Sequence, residues 1–247
     1  MAKIIGFIKD FTAFEKCLII ANVLLGVVFL IVWYDEGSWS WMWFNVPLIE
    51  YVAFTSSVAN TISVILVAKR RIANYPWGLV AVSMYAVVGF VYGNTAVWTF
   101  QLIWYMPLII IGWIFWSKNK SKEDSRAVDP KKLTFVQAIV VYALTLAGVL
   151  AFAWLISLPL INEFFYGSVQ EFGFDKHIVD AAGDILAVPA MILMVKRYRE
   201  QWLMWILLNI FGIILWSFYT FNPIMIVMWA TLLVNAVYGY MKWKVKY

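Results

Sequence analysis

The feature that most constrains this chain is a series of apolar stretches, each about 20 residues long, separated by short polar loops. A helix rises about 1.5 Å per residue, so about 20 residues cross the roughly 30 Å hydrocarbon layer of a bilayer. Eight stretches meet that length, near residues 17–34, 47–68, 76–93, 96–117, 133–160, 177–195, 201–219 and 223–241. The balance agrees: 64% of residues are hydrophobic and 13% charged, against about 45–50% and about 25% in soluble domains. A soluble globular enzyme is excluded. The first stretch is read as a permanent anchor rather than a cleaved signal. Val32-Trp33-Tyr34-Asp35 stands where a small-residue cleavage site would be required.

Lysine and arginine in short loops stay on the cytoplasmic side, which tests the span count independently of hydropathy. They alternate with the spans. Basic residues lie at the N-terminus (Lys3, Lys9, Lys16), after the second span (Lys69, Arg70, Arg71), and between the fourth and fifth (Lys118, Lys120, Lys122, Arg126, Lys131, Lys132). They return after the sixth (Lys196, Arg197, Arg199) and at the C-terminus (Lys242, Lys244, Lys246). The intervening loops hold Asp35, Glu36, Glu163, Glu171 and Asp175, with Lys176 the one exception. Both termini are therefore expected in the cytoplasm, and the net charge of +5 reports topology.

Shifting the chain by 127 residues lays Ile65-Leu66 on Ile192-Leu193 and Lys69-Arg70 on Lys196-Arg197. The same shift lays Tyr92 on Tyr219, Gly112 on Gly239 and Trp116 on Trp243, without a gap. Spans two to four then correspond to spans six to eight, and span five links them. A single crossing restores the orientation of an odd three-helix unit, so the expected core is three plus one plus three, with parallel repeats related by an axis along the membrane normal. Substrates of such architectures bind between the repeats. The segments follow: 1–46 holds the extra N-terminal helix and an external loop, and 47–117 the first repeat. Residues 118–176 hold the linker, its helix and an external loop, and 177–247 the second repeat and basic tail. The linker from Ser117 to Lys132 reads as a charged connection without chemistry. The aromatic loop from Ile161 to Lys176 reads as a belt against the outer leaflet or as an ordered cap.

Polar groups at membrane depth are costly and call for a partner or a wet cavity. Those in the spans are Asn60, Ser63, Ser83, Gln101, Asp180, Asp184, Asn209, Ser217 and Asn235, with Asn22 alone in the first span. An amide serves equally as interhelical glue or as a ligand contact. Their concentration in the repeated core favours a central path. Asp180 and Asp184 share a helix face near His177, toward the external end, which allows a proton relay. With no lysine or arginine at matching depth, the plainer reading is a carboxylate in a wet vestibule or a structural pair. Trp98, Gln101, Trp104 and Tyr105, and again Trp202, Trp205 and Asn209, put ring and amide on one helix face. An indole can stack on a flat ring while an amide satisfies hydroxyls or a carboxamide. Trp98 and Trp202, near helix ends, serve equally as belt residues. Pro107 and Pro189 are expected to interrupt the fourth and sixth spans. Cys17 and His177, the single Cys and the single His, leave no disulfide and no cysteine or histidine metal site, and no cofactor is expected.

Several strings resemble the PnuC family of nicotinamide riboside transporters: Tyr92-Gly93-Asn94, Gln101, Tyr105 and Gly112-Trp113 with Trp116, then Asp180, Lys196, Trp202-x-x-Trp205-x-x-x-Asn209 and Tyr219. The similarity covers about residues 47–243. The resemblance implies an all-α polytopic fold, with eight helices here, whose seven-helix core is akin to an enlarged SWEET sugar transporter. It implies residence in a bacterial inner membrane, a homotrimer, and facilitated diffusion drawn inward by a cytoplasmic riboside kinase. The first helix departs from that core. The riboside, with its pyridinium, carboxamide and hydroxyls, suits Asn60, Gln101, Trp104, Tyr105, Asp184, Trp205, Asn209 and Asn235 as binding residues. A proton- or cation-coupled transporter of another vitamin, nucleoside or sugar is the alternative, motivated by His177, Asp180 and Asp184. An enzyme is not expected, since no His-Glu-x-x-His, Gly-x-Ser-x-Gly or Gly-x-x-x-x-Gly-Lys pattern is present.

Overall fold

Apolar runs too long for a soluble core form helices throughout the chain, as seen in a computed structural model that describes residues 10–35, 38–41, 48–91, 95–166, 173–219 and 223–243. In order these are α1 (Ala13–Ile31), a hairpin of β1 (Val32–Asp35) and β2 (Ser38–Trp41), α2 (Leu48–Ala68), α3 (Asn74–Val91) and α4 (Thr95–Phe100). A π-helical segment π1 (Gln101–Tyr105) leads into α5 (Met106–Lys118), followed by α6 (Phe135–Ser157), α7 (Pro159–Tyr166), α8 (Phe174–Val195) and α9 (Gln201–Ile214). A second π segment, π2 (Leu215–Tyr219), precedes α10 (Pro223–Lys242). Among the described residues, seven helices are long and apolar enough to cross a membrane, beginning with Leu48–Ala68 and ending with Met225–Lys242. The expected first span corresponds to α1.

Three boundaries differ from expectation for identifiable reasons. α1 starts a turn early because Thr12 and Glu15 cap it reciprocally: the Thr12 N–H donates to Glu15 Oε2 at 2.8 Å and the Glu15 N–H to Thr12 Oγ1 at 3.3 Å. It also ends early, because Val32 to Tyr34 pair as a strand, with Val32 opposite Trp41 and Asp35 opposite Ser38. Trp and Ser alternate over Ser38–Trp41, a strand period, and the strand pair makes the chain not purely helical. The fifth span gives way at Leu158 to α7, so part of the external loop is a short helix; Asn162 is buried and donates through Nδ2 to the Ile156 carbonyl at 3.2 Å.

The chain divides into two compact units, residues 1–66 with 73–106, and residues 67–72 with 107–247. In the first, Phe11, Ile65 and Leu66 form a buried cluster joined by Leu18, Ile19, Ile62 and Trp77. Gly26 lets Phe54 lie against the backbone of α1, where a Cβ would stand 2.3 Å from the ring. In the second, α8 packs on α6, π2 and α9, and α9 on α10. Two glycines fix the antiparallel register of α9 and α10. Cβ atoms built at Gly212 and Gly239 would each fall 2.5 Å from an indole, those of Trp229 and Trp202 respectively.

The turn after α2 and the turn after α8 are built alike. Arg70 and Arg197, 127 positions apart, both take the left-handed conformation, with φ of 62° and 68°. This conformation is uncommon outside glycine and ends each helix sharply. The linker, expected to be a bare charged connection, folds along both turns. Val128 N–H donates to the Arg70 carbonyl at 3.1 Å and Lys131 N–H to the Arg197 carbonyl at 2.7 Å. Ile72 N–H donates to Arg126 at 3.0 Å and Arg199 N–H to Lys131 at 2.9 Å. Val128 is fully buried. Asp124 pairs with Arg71 and, at 3.3 Å, with Arg126.

Candidate binding residues at membrane depth

In the first unit, Asn60 is an exposed residue eight positions before the end of α2, about 12 Å from the basic turn by helix rise. The serines around it act as staples: Ser56 Oγ donates to the Ala81 carbonyl at 2.8 Å and Ser63 Oγ to the Asn74 carbonyl at 3.0 Å, tying α2 to α3. Asn22 is likewise engaged, its Nδ2 donating to Ser57 Oγ at 3.1 Å. Of the polar groups expected in this unit's spans, Ser63 is thus structural, while Asn60 stays accessible.

Gln101, Trp104 and Tyr105 all fall in π1, where the Met106 N–H bonds the Gln101 carbonyl in an i→i+5 step. The widened turn precedes Pro107, which has no N–H to give to a helix ladder. Widening also corrects the face these residues share. Residue four on, Tyr105, stays close above Gln101, whereas Trp104 turns farther aside than in an α-helix. The indole N–H of Trp104 is buried without a hydrogen-bond partner. Trp98 is half-buried and meets Phe90 edge to face at 6.1 Å. Tyr92-Gly93-Asn94 lies outside the described residues.

In the second unit, Asp184 sits at the middle of α8 rather than toward its external end, because that helix begins at Phe174. It is exposed, and a Cβ built at neighbouring Gly183 would meet nothing within 4 Å, so both border open space. Asp180 differs. Lys176 reaches along the helix to it at 2.9 Å, so a basic group does lie within reach of this carboxylate, one turn away. Tyr219 donates to Asp175, and His177 is buried. The carboxylates at this end of α8 are tied up locally, while Asp184 has no ion pair among the described residues. Pro189 lies inside α8, which continues through it, and the proline withholds one N–H from the helix ladder.

Asn209 on α9 and Asn235 on α10 are each 4% exposed. The register set by Gly212 against Trp229 and Gly239 against Trp202 puts Asn235 opposite Ile206, so the two amides lie within about one helical turn of each other. Asn235 Oδ1 is buried without a hydrogen-bond partner, and Trp205, half-buried, precedes Asn209 by one turn. Trp202 is a core residue and not a belt residue: it is 2% exposed and lies edge-on to Trp243 at 5.9 Å. Trp229 was not singled out by sequence. Its buried, unpartnered indole N–H belongs to the same pair of helices as the two amides, and the small Gly212 facing it was the only available signal.

These side chains can stack on and hydrogen-bond a small polar ligand, and no cluster among the described residues could hold a metal ion. A family profile described as nicotinamide mononucleotide transporter matches residues 48–245. The chain belongs to this family. Relatives named nicotinamide riboside transporter PnuC include one from Haemophilus influenzae, 31% identical over 195 residues, covering 78% of this chain and 79% of the relative. Another, from Neisseria mucosa, is 28% identical over 225 residues, covering 84% and 80%. A crystal structure of the vitamin B3 transporter PnuC matches the fold with a TM-score of 0.67 at 26% identity, covering 94% of this chain and 91% of that one. The chain is therefore a multi-pass membrane transporter of the PnuC family, not an enzyme.

Proposed function

We propose that this transporter carries nicotinamide riboside across a bacterial inner membrane by facilitated diffusion, with Asn60, Gln101, Trp104, Tyr105, Asp184, Trp205, Asn209 and Asn235 as its binding residues. Uptake is drawn inward by phosphorylation of the riboside in the cytoplasm, both termini face that side, and the assembly is a homotrimer. Supporting this are the names of the relatives and, for this chain itself, the charge at depth. The middle of the spans offers neutral amides, indoles and the Asp184 carboxylate, and no lysine or arginine. A phosphate brought to that depth would meet no cation to offset its desolvation. The riboside without its phosphate carries a positive pyridinium, which an indole face and a carboxylate both attract. The substrate is therefore the nucleoside and not the mononucleotide.

Calorimetry on purified protein tests this, with nicotinamide riboside, nicotinamide mononucleotide, thiamine and riboflavin as titrants. Saturable binding of the riboside alone is the expected result, and equal or tighter binding of the mononucleotide overturns the charge argument. Uptake into proteoliposomes is expected to stop at equal concentrations with or without an imposed proton gradient. Accumulation driven by that gradient would replace facilitated diffusion with coupled transport.

A further inference from the structure

At the end of the second unit that carries the basic turns, two indoles are exchanged. Trp116, in the last turn of α5, donates from Nε1 to the carbonyls of Met194 and Val195 at 3.1 Å each, at the end of α8. Trp243, just past α10, donates from Nε1 to the Val67 carbonyl at 3.0 Å, at the end of α2. Trp116 and Trp243 are 127 positions apart, and so are Val67 and Met194. Each indole thus bonds the helix end belonging to the other half of the chain. The two rings also touch, with centroids 6.1 Å apart, and both are fully buried, with Trp202 packed edge-on against Trp243.

We infer that the Trp116 and Trp243 pair is the gate on the cytoplasmic side of the transport path, and that release of substrate requires these indole contacts to part. The inference rests on the reading that substrate passes between two like-facing halves of the chain. On that reading, two counterparts that touch mark the place where such a path leaves the membrane. There they form a dry plug of three indoles. The bonds that hold it end on helix C-terminal carbonyls; those of Val67 and Met194 also accept the Arg70 and Arg197 N–H groups at 2.8 and 2.9 Å, and water can take the place of the indole there once the plug opens. The linker is bonded to one turn through Arg126 and Val128 and to the other through Lys131, with Asp129-Pro130 between. A gate of this kind opens without leaving the Val67 and Met194 carbonyls unpaired.

The test uses the full chain with Cys17→Ser, carrying Trp116→Cys and Trp243→Cys, reconstituted in proteoliposomes and joined by a short bis-methanethiosulfonate, which forms a mixed disulfide with each cysteine and releases methanesulfinate. With nicotinamide riboside as probe, the cross-linked protein is expected to bind within about twofold of the uncross-linked one, yet to transport at least tenfold more slowly. Reduction should restore the rate. Transport that continues at an undiminished rate in fully cross-linked protein overturns the gate. Where the cysteine pair does not fold, Trp116→Phe with Trp243→Phe keeps both rings and removes both N–H donors. The gate then requires an uptake rate changed at least threefold at unchanged affinity, whereas a lowered melting temperature with rate and affinity both unaltered identifies a structural staple and overturns it. Failure of uptake by the Cys17→Ser parent itself overturns the substrate reading, and the gate with it.

Discussion

The basic end of this protein and its middle depth use their polar groups differently. At the basic end of the second unit, the indoles of Trp116 and Trp243 reach carbonyls, and the linker completes both left-handed turns with backbone bonds. At membrane depth, Asn235 Oδ1 and the indole N–H groups of Trp104 and Trp229 are buried without a partner, and Asp184 borders open space without an ion pair among the described residues. Burying an unsatisfied polar atom costs about 1–3 kcal/mol. The basic end carries that cost at Arg197 Nε, the Gln201 amide and Trp202 Nε1, yet its indole and linker bonds still concentrate stability there, while the atoms left idle at depth are the ones placed for recognition.

The contrast can be broken or sharpened by substitution. Trp243→Ala removes a fully buried indole and its hydrogen bond, and should lower unfolding stability by about 3–5 kcal/mol, the usual cost of deleting a large aromatic from a packed site. Thermal unfolding in detergent measures it; a change under 1 kcal/mol would mean that the basic end is not where stability resides. Asn209→Ala and Gln101→Ala should behave in the opposite sense, weakening riboside affinity by about 1–3 kcal/mol, roughly five- to a hundredfold, with little loss of melting temperature. If calorimetry finds affinity intact in both, the recognition half of the contrast fails. Gly239→Ala brings a methyl to 2.5 Å from the Trp202 ring, and overpacking there should cost about 1–3 kcal/mol of stability. Riboside affinity is expected to hold, since Gly239 lies beside the plug and not among the amides.

Asp124→Asn should have the smallest effect, at most about 1 kcal/mol, because its ion pairs are solvent-accessible. The Asp124 carboxyl is pulled from an ordinary 3.8 to about 2, first by the Arg126 backbone N–H and then by the Arg126 and Arg71 side chains. A depressed value means that this contribution is fully present above the ordinary range and is lost as pH falls toward 2. The stability gap between Asp124→Asn and the parent should stay flat from about pH 8 to about pH 5 and close only in stronger acid. A gap that varies across the neutral range would assign the effect to another group.

Much of this was legible in the sequence, and the exceptions share a cause. Apolar length located seven of the spans, and α1 where the first was expected, because the bilayer imposes a local rule that each segment must satisfy by itself. The polar residues worth attention were also visible as exceptions to that rule. Their assignments were not. Ser63, at the same kind of position as Asn60, proved to be bonded to the Asn74 carbonyl, while Asn60 stayed exposed. Asp180 found Lys176, and Trp202 proved to be core. Each of these depends on a neighbour that hydropathy does not weigh.

By itself the sequence determined a membrane-spanning helical chain, the positions of its basic turns and the short set of amides, indoles and carboxylates that could serve a ligand. Those follow from solvation energies that act residue by residue. Only the tertiary structure decided that Gln101 lies in a π turn, that Gly212 and Gly239 set the register bringing Asn209 near Asn235, and that a charged linker closes both turns. Such outcomes turn on close approach between segments far apart in the chain, where a missing Cβ or one carbonyl within reach of an indole selects among packings that the apolar pattern leaves equal in energy.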